Sequence, residues 1–317
     1  PIKEAKVLDG DSSYALHFDR ADIPEEMLGY IVSNHVIRKA LYEKVGSLNN
    51  VEILPEVSVT GVKTDENGAV VSLSNGKTAD TALVVSADSR FSETRRKMGI
   101  SADMHEFGRV CIVSRMRHER SNEGIAHECF FYGQTLAVLP LSDKESSIVI
   151  TVSSDMADHI MAMDKDEFSR HVEGQFKGKL QRMDLSSERF PYPLVAVWAN
   201  KFIGQRYAVI GDAAVGMHPV TAHGFNLGLR SQHTLAELIR KAHADGKDIG
   251  ANGLLKRYEK THRKIARPIY LGTNAIVKLF TNDMPLHKLA RKTVLRVGNI
   301  FPPIKRAITH QLTETSG

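Results

Sequence analysis

Residues 207–238 read YAVIGDAAVGMHPVTAHGFNLGLRSQHTLAEL, and the fold follows from how this stretch changes character along its length. Tyr207 to Ile210 is a short apolar run ending at Gly211, where the missing Cβ lets another group approach the backbone. Asp212 stands just past the carboxyl end of that strand, where open α/β sheets place their ligands. Between His218 and Gly228 the chain concentrates Pro219, Gly224, Asn226 and Gly228, and from Leu227 onward Leu229, Leu235, Leu238 and Ile239 recur at helical spacing. The turn therefore delivers a helix N-terminus, with free N–H groups and the positive dipole end, onto whatever the aspartate helps to hold.

Two upstream stretches repeat parts of this logic. In residues 82–100, ALVVSADSRFSETRRKMGI, an apolar strand over Leu83 to Val85 runs into Ala87, Asp88 and Ser89 and then a basic helix start. Arg90, Arg95 and Arg96 read either as a solvated helix face or as attraction for an anionic ligand. Residues 28–41, LGYIVSNHVIRKAL, lead into a helix with Val36, Ile37, Ala40 and Leu41 on one side, and Asn34 and Arg38 are its candidate ligand contacts. Arg38 reads equally as the helix's exposed face.

Together these stretches resemble the flavin-dependent aromatic hydroxylases, whose second FAD fingerprint is a strand, Gly-Asp and a His-Pro, Gly-rich turn. Here those residues are Gly211, Asp212, His218, Pro219, Gly224, Asn226, Leu227 and Gly228. The tract Gly224 to Arg230, GFNLGLR, is similar to the ubiquinone-biosynthesis branch, closest to its broad-specificity 5-demethoxyubiquinol hydroxylase type. The resemblance implies an α/β FAD-binding lobe, incomplete here, with an α+β substrate lobe and C-terminal helices. Its divisions fall at 1–104 and 201–250 for the FAD lobe, 105–200 for the substrate lobe and 251–317 for the helical region. The cofactor contacts it implies are Gly211, Asp212, Pro219, Gly224, Phe225, Asn226, Leu227, Asp88, Arg38 and Asn34. Ser89 stands where the family carries glycine, and Ala222-His223-Gly224 where many relatives have Gly-Gln-Gly; His223 either faces the flavin edge or fills the gap. The Gly-x-Gly-x-x-Gly turn that opens such enzymes does not occur, so the chain is expected to be a fragment that holds FAD weakly and is inactive by itself.

Composition agrees with a globular protein: 317 residues, 42% hydrophobic and 25% charged, are enough to bury a large core in two intertwined lobes. Cys111 and Cys129 lie in strand-like runs and are expected to be buried, unpaired thiols in a reducing compartment. No apolar run is long enough to cross a membrane, and no signal-peptide pattern opens the chain. Short β-like pieces are expected at Val51 to Leu54, Val57 to Lys63 and Ala69 to Leu73, joined by Asn-Gly turns. Further strands are expected at Arg109 to Met116, Glu128 to Tyr132, Thr135 to Leu141 and Ser147 to Val152, with a helix over Asp164 to Phe176.

In the resembled family such a sheet closes the aromatic substrate's pocket. Phe130, Tyr132, Leu139, Pro140 and His223 are the candidate lining residues, and ordinary sheet core is the other reading of the strand positions. None of the strand positions offers an obvious acid or base, and no catalytic or metal-ligating residue is expected. The family's chemistry accounts for that: NAD(P)H reduces the flavin, dioxygen adds, and an electron-rich ring attacks the resulting flavin hydroperoxide, so the cofactor performs the difficult step. The implied activity is hydroxylation of a polyprenylated phenol or quinol, a ubiquinone precursor, in the cytoplasm at the inner membrane face. A hydroxylase for another phenol and a non-catalytic scaffold of the ubiquinone-synthesis complex stay open. The net charge of +5 is not matched by any nucleic-acid module. Instead Leu286, Leu289, Thr293, Val297 and Ile300 share one helical face and His287, Lys288, Arg291, Lys292 and Arg296 the other, so 286–310 reads as a peripheral membrane contact, a helix docked on the protein, or a site for an acidic partner.

Overall fold

A computed structural model describes residues 1–9, 15–19, 27–131 and 133–281. Tyr132 and the basic segment 286–310 lie outside them. In chain order the elements are β1 (Glu4–Asp9), β2 (Ala15–Asp19), α1 (Asn34–Gly46), β3 (Val59–Thr64), β4 (Ala69–Leu73), β5 (Thr78–Thr81), β6 (Val84–Ser86) and α2 (Glu93–Lys97). Next come β7 (Ala102–His118), β8 (Ile125–Phe131), β9 (Gln134–Ser142), β10 (Glu145–Ser153), α3 (Ser154–Ala162), α4 (Lys165–Gln175), β11 (Met183–Leu185) and β12 (Phe190–Ala199). The last are β13 (Ile203–Gly204), β14 (Tyr207–Val209), β15 (Val215–Gly216), α5 (Gly224–Ala244) and α6 (Asn252–Thr281). Contacts divide these residues into two compact units, one within 1–51 and 108–194 with 278–281, the other within 52–107 and 195–277.

The first unit is built on strands in the order β7-β10-β9-β8-β1-β2, antiparallel except for the parallel pair β1 and β8. Period-two alternation sorts its side chains onto two faces. Ile112, Met116, Cys129, Leu136, Val138, Ile148 and Ile150 form one face and pack on Ala157 and Ile160 of α3 and on Phe168 and Val172 of α4. Each such large side chain contributes about 1.5–3 kcal/mol on burial. Asp164 and Glu167 start α4 with a reciprocal capping box, each side-chain oxygen accepting the other's backbone N–H at 2.8 and 3.1 Å. The four strands expected here lie within β7 to β10 over their described residues. The helix α3 was not expected, since its nine residues follow β10 without a break signal. Val51 to Leu54, expected as a strand, is irregular, and Val51, Ile53 and Leu54 are exposed; no strand lies beside it among the described residues, and an unpaired ladder has nothing to hold it.

In the second unit, β3, β4 and β5 form an antiparallel meander. Asp65 shapes its first turn by accepting the N–H groups of Asn67 and Gly68 at 2.7 and 2.8 Å, and Gly76 supplies a φ of +81° in the second. Beside it, β6 pairs in parallel with β14 and β13 pairs antiparallel with β14. Trp198, Phe202, Tyr207, Val209, Leu227, Leu235, Leu255 and Tyr258 make the core under α5 and α6, and the Tyr258 hydroxyl donates to the Val209 carbonyl at 2.7 Å. Buried Arg206 ties this unit together, pairing with Asp248 at 2.5 Å and donating to the carbonyls of Glu66 and Ala82.

Candidate cofactor site

Because β6 and β14 run parallel in register, with the Ile210 N–H donating to the Ser86 carbonyl at 2.9 Å, the loops that leave them emerge at the same sheet end. Asp88 leaves β6. Its Oδ1 accepts from the hydroxyls of Ser86 and Ser92, the latter at 2.5 Å, and its Oδ2 accepts from the Thr94 N–H at 3.1 Å. Burial alone would raise this carboxyl's pKa, but those hydrogen bonds outweigh it and hold it at about 2. The carboxylate is thus committed to shaping the start of α2. Ser89 adopts a φ of +82°, the left-handed backbone expected of glycine, at a strain of about 1–3 kcal/mol.

The three arginines of this loop separate. Arg95 is buried and spans from β6 to the β14 loop, donating to the Ala213 carbonyl at 2.6 Å and the Arg90 carbonyl at 3.3 Å. Burial lowers its pKa, which Tyr207 and Asp88 oppose. Arg90 donates to Asp212 Oδ2 at 2.9 Å and to the Val195 carbonyl at 3.0 Å. Arg96 is solvated and reaches only Glu93, at 4.0 Å.

On the β14 side, Gly211 takes a φ of +58° and opens a 3-10 turn, Gly211–Ala213, that presents Asp212 with 37% of its side chain exposed. The turn is fixed to α5 through Ser231, whose hydroxyl accepts the Gly211 N–H at 3.0 Å and donates to the Gly228 carbonyl at 2.6 Å. At Gly228 an added Cβ would lie 3.5 Å from the Gly211 Cα, so helix and turn are in van der Waals contact. His218 is buried, its Nδ1 accepts the Val220 N–H at 3.1 Å, and its ring meets Phe107 edge-on at 4.9 Å. Ala222 turns the chain with a φ of +53°, and α5 starts at Gly224 with no side-chain cap from His223 and no acidic residue in its first turn.

Pro219, Phe225 and Asn226 are exposed around this helix start, His223 is half-buried, and the Leu227 side chain points into the core. The turn therefore brings Gly211, Asp212, Gly224, Phe225, Asn226, Leu227 and Pro219 into one segment beside Asp88. Asn34 and Arg38 are exposed on α1, which belongs to the other unit. Phe130 and Leu139 also belong to that unit and share, by alternation, the sheet face turned away from α3 and α4, whereas Pro140 alternates to the covered face. No group of acids, histidines or cysteines able to hold a metal occurs among the described residues.

A helix N-terminus without a cap or a competing acid offers backbone N–H groups and about half a positive charge to an electron-rich ligand. A half-exposed carboxylate held by an arginine beside it accepts hydrogen bonds from hydroxyls. These are the donor and acceptor sets that a dinucleotide's sugar and an isoalloxazine edge require, so the residues fit FAD. Arg90 and Arg95, which brace the site, stood out in the sequence only as part of a basic cluster, and Ser231, within α5, carries no local sequence signal.

Comparison with known proteins agrees with this chemistry. A family model described as an FAD binding domain matches residues 15–271. Ubiquinone hydroxylase UbiM of Neisseria meningitidis is 50% identical over 317 residues, covering 99% of this chain and 69% of that protein. Ubiquinone hydroxylase UbiL of Rhodospirillum rubrum is 36% identical, covering 96% of this chain and 71% of that one. In fold, the chain is similar to HpxO of Klebsiella pneumoniae, solved with FAD and uric acid, with a TM-score of 0.78 at 16% identity over 100% of this chain and 82% of HpxO.

Proposed function

The chain belongs to the FAD-dependent monooxygenases of ubiquinone biosynthesis, and on that premise we propose how its residues serve the reaction. The substrate is a phenol or quinol and the cofactor is FAD, with NAD(P)H the reductant typical of the family. When bound, FAD passes electrons from the reduced nicotinamide to dioxygen and delivers one oxygen atom to the ring. The rest is binding, orientation and exclusion of water. Asp212, steadied by Arg90, accepts hydrogen bonds from the cofactor's sugar-alcohol chain. The backbone of Gly224, Phe225, Asn226 and Leu227 would supply N–H groups that stabilise negative charge on the reduced ring, with Pro219 beside them. The loop at Asp88 contributes through its backbone, since its carboxylate is already occupied. Phe130 and Leu139 border the substrate ring from the sheet face they share.

The reading rests above all on the half-exposed Asp212 carboxylate beside the uncapped start of α5. No described helix is long and apolar enough to cross a membrane; the basic, amphipathic sequence of 286–310 instead brings the protein reversibly to an anionic membrane surface or to a biosynthetic assembly, where a polyprenylated substrate is collected. To test the cofactor role, the wild-type protein and Asp212→Ala are loaded with FAD and passed over gel filtration while visible absorbance is recorded. The variant should bind flavin about tenfold or more weakly than wild type, the scale of a lost charge-assisted hydrogen bond. Equal retention by Asp212→Ala would remove the aspartate from the site.

A further inference from the structure

Glu128 stands in the middle of β8 and has no hydrogen-bond or ion-pair partner among the described residues. The register places it between Val7 of β1 and Ala137 of β9. By alternation Ala126 and Phe130, both buried, share its face, which is the one turned away from α3 and α4. Farther along that face come Val149 and Thr151 of β10, then Val113 and Cys111 of β7. The charged or titratable groups on it are Asp9 of β1, Arg109, Cys111, Arg115 and Arg117 of β7, Glu145 of β10 and Asp184 of β11; Arg109 is occupied by the Gly133 carbonyl at 2.7 Å. Strands β2 and β9 contribute none to this face over the registered residues.

Half-buried among apolar neighbours with no side-chain partner among the described residues, the carboxyl does little for folding, and an aliphatic residue of similar size would serve the sheet better. Its presence on the wall that carries Phe130 and Leu139 calls for a ligand. We propose that Glu128 receives the ring hydroxyl of the substrate, hydrogen-bonding it and, once ionised, taking its proton. In that step the phenol O–H bond breaks, the proton passes to a carboxylate oxygen of Glu128, and the bond's electron pair stays on the ring oxygen. The resulting phenolate is the more electron-rich ring, which is what oxygen delivery to carbon demands. Burial pushes the Glu128 pKa up to about 8, so the group is poised to exchange a proton near neutral pH rather than standing fully ionised. The Cys111 thiol on the same face, pushed up to about 11 chiefly by burial, also feels the Glu128 charge.

This assignment rests on the phenol or quinol reading of the substrate. The test uses flavin-loaded, full-chain protein and a 2-methoxyphenol bearing a short alkyl tail, with its O-methyl ether as control, titrated by flavin fluorescence at a series of pH values. In wild type, binding of the phenol should tighten several-fold as pH rises through about 8, and binding of the ether should not. Glu128→Gln should bind the phenol within about threefold of wild type at low pH but lose the pH step. Glu128→Leu should lose about tenfold in phenol affinity while keeping its flavin and its affinity for the ether. Variants that keep both the pH step and the wild-type affinity would overturn the assignment. Failure of the underlying reading looks different: wild type itself would bind flavin but no phenol at any pH, and the assignment would fall with it.

Discussion

Replacing Gly250 by alanine should unfold the second unit more easily than any other single methyl added at a described glycine. An added Cβ there would collide with the Ala82 carbonyl oxygen and lie 2.6 and 2.8 Å from Nη1 and Cδ of Arg206. The carbonyl is backbone just before β6 and has little room to yield. Arg206 is buried and held by Asp248, Glu66 and Ala82, so it moves only by giving up hydrogen bonds. Overpacking of this kind costs about 1–3 kcal/mol, and a buried charge left with poorer partners adds about 1–3 kcal/mol. The lower entropy of an unfolded chain with alanine returns up to about 1 kcal/mol. At the middle of these ranges the net loss is about 3 kcal/mol, which at about 2–4 °C per kcal/mol for a domain of this size lowers Tm by about 6–12 °C. Thermal and urea denaturation followed by circular dichroism read it directly. In an Arg206→Ala background two of the three close atoms are gone, so the added methyl should do less harm there. A Gly250→Ala protein melting within about 2 °C of wild type would refute the reasoning, because Arg206 would then not fill that space.

Gly228→Ala should act in the opposite sense. Its Cβ meets Gly211 at an ordinary 3.5 Å, so the helix gains about 0.5–1 kcal/mol of propensity, and a lower melting temperature would mean that α5 and the Gly211 turn are closer than they are here. His262 is buried against Phe202 and Tyr258, and burial, assisted by Arg230, pushes its pKa down from 6.5 to about 4. The unfolded chain therefore binds the extra proton between those values, so stability is intact above pH 6.5 and falls by up to about 3 kcal/mol as pH drops to 4. His262→Phe should flatten that decline in urea titrations at stepped pH, leaving the smaller slope due to His127, which burial also pushes down to about 4; an unchanged slope would show that His262 does not titrate between the folded and unfolded states.

How far the site could be read from sequence depended on how local its causes are. Gly211, the turn through Pro219 and the start of α5 at Gly224 follow from a change of period over some twenty consecutive residues, and the structure forms them there. The helix expected over Asp164 to Phe176 was legible for the same reason, and α4 forms there. Ser89 shows where local reasoning ends: serine was expected to lose glycine's backbone freedom, yet it sits at a φ of +82° because Asp88 and Arg95 anchor the loop on either side. The arginine cluster shows it again. Charges close in sequence suggested a shared role, solvated or anion-attracting, but Arg90 closes on Asp212 across 122 residues and Arg95 on Ala213 across 118, contacts that no local period encodes. This alters the electrostatic argument. At the sheet end the positive charges of Arg90 and Arg95 are matched by Asp88 and Asp212, and Arg96 points to solvent beside Glu93. A dinucleotide is therefore not drawn there by net positive charge; its hold on this unit has to come from the directed N–H groups of α5 and the remaining acceptor capacity of Asp212, which discriminate by shape where a charge cluster would accept any anion.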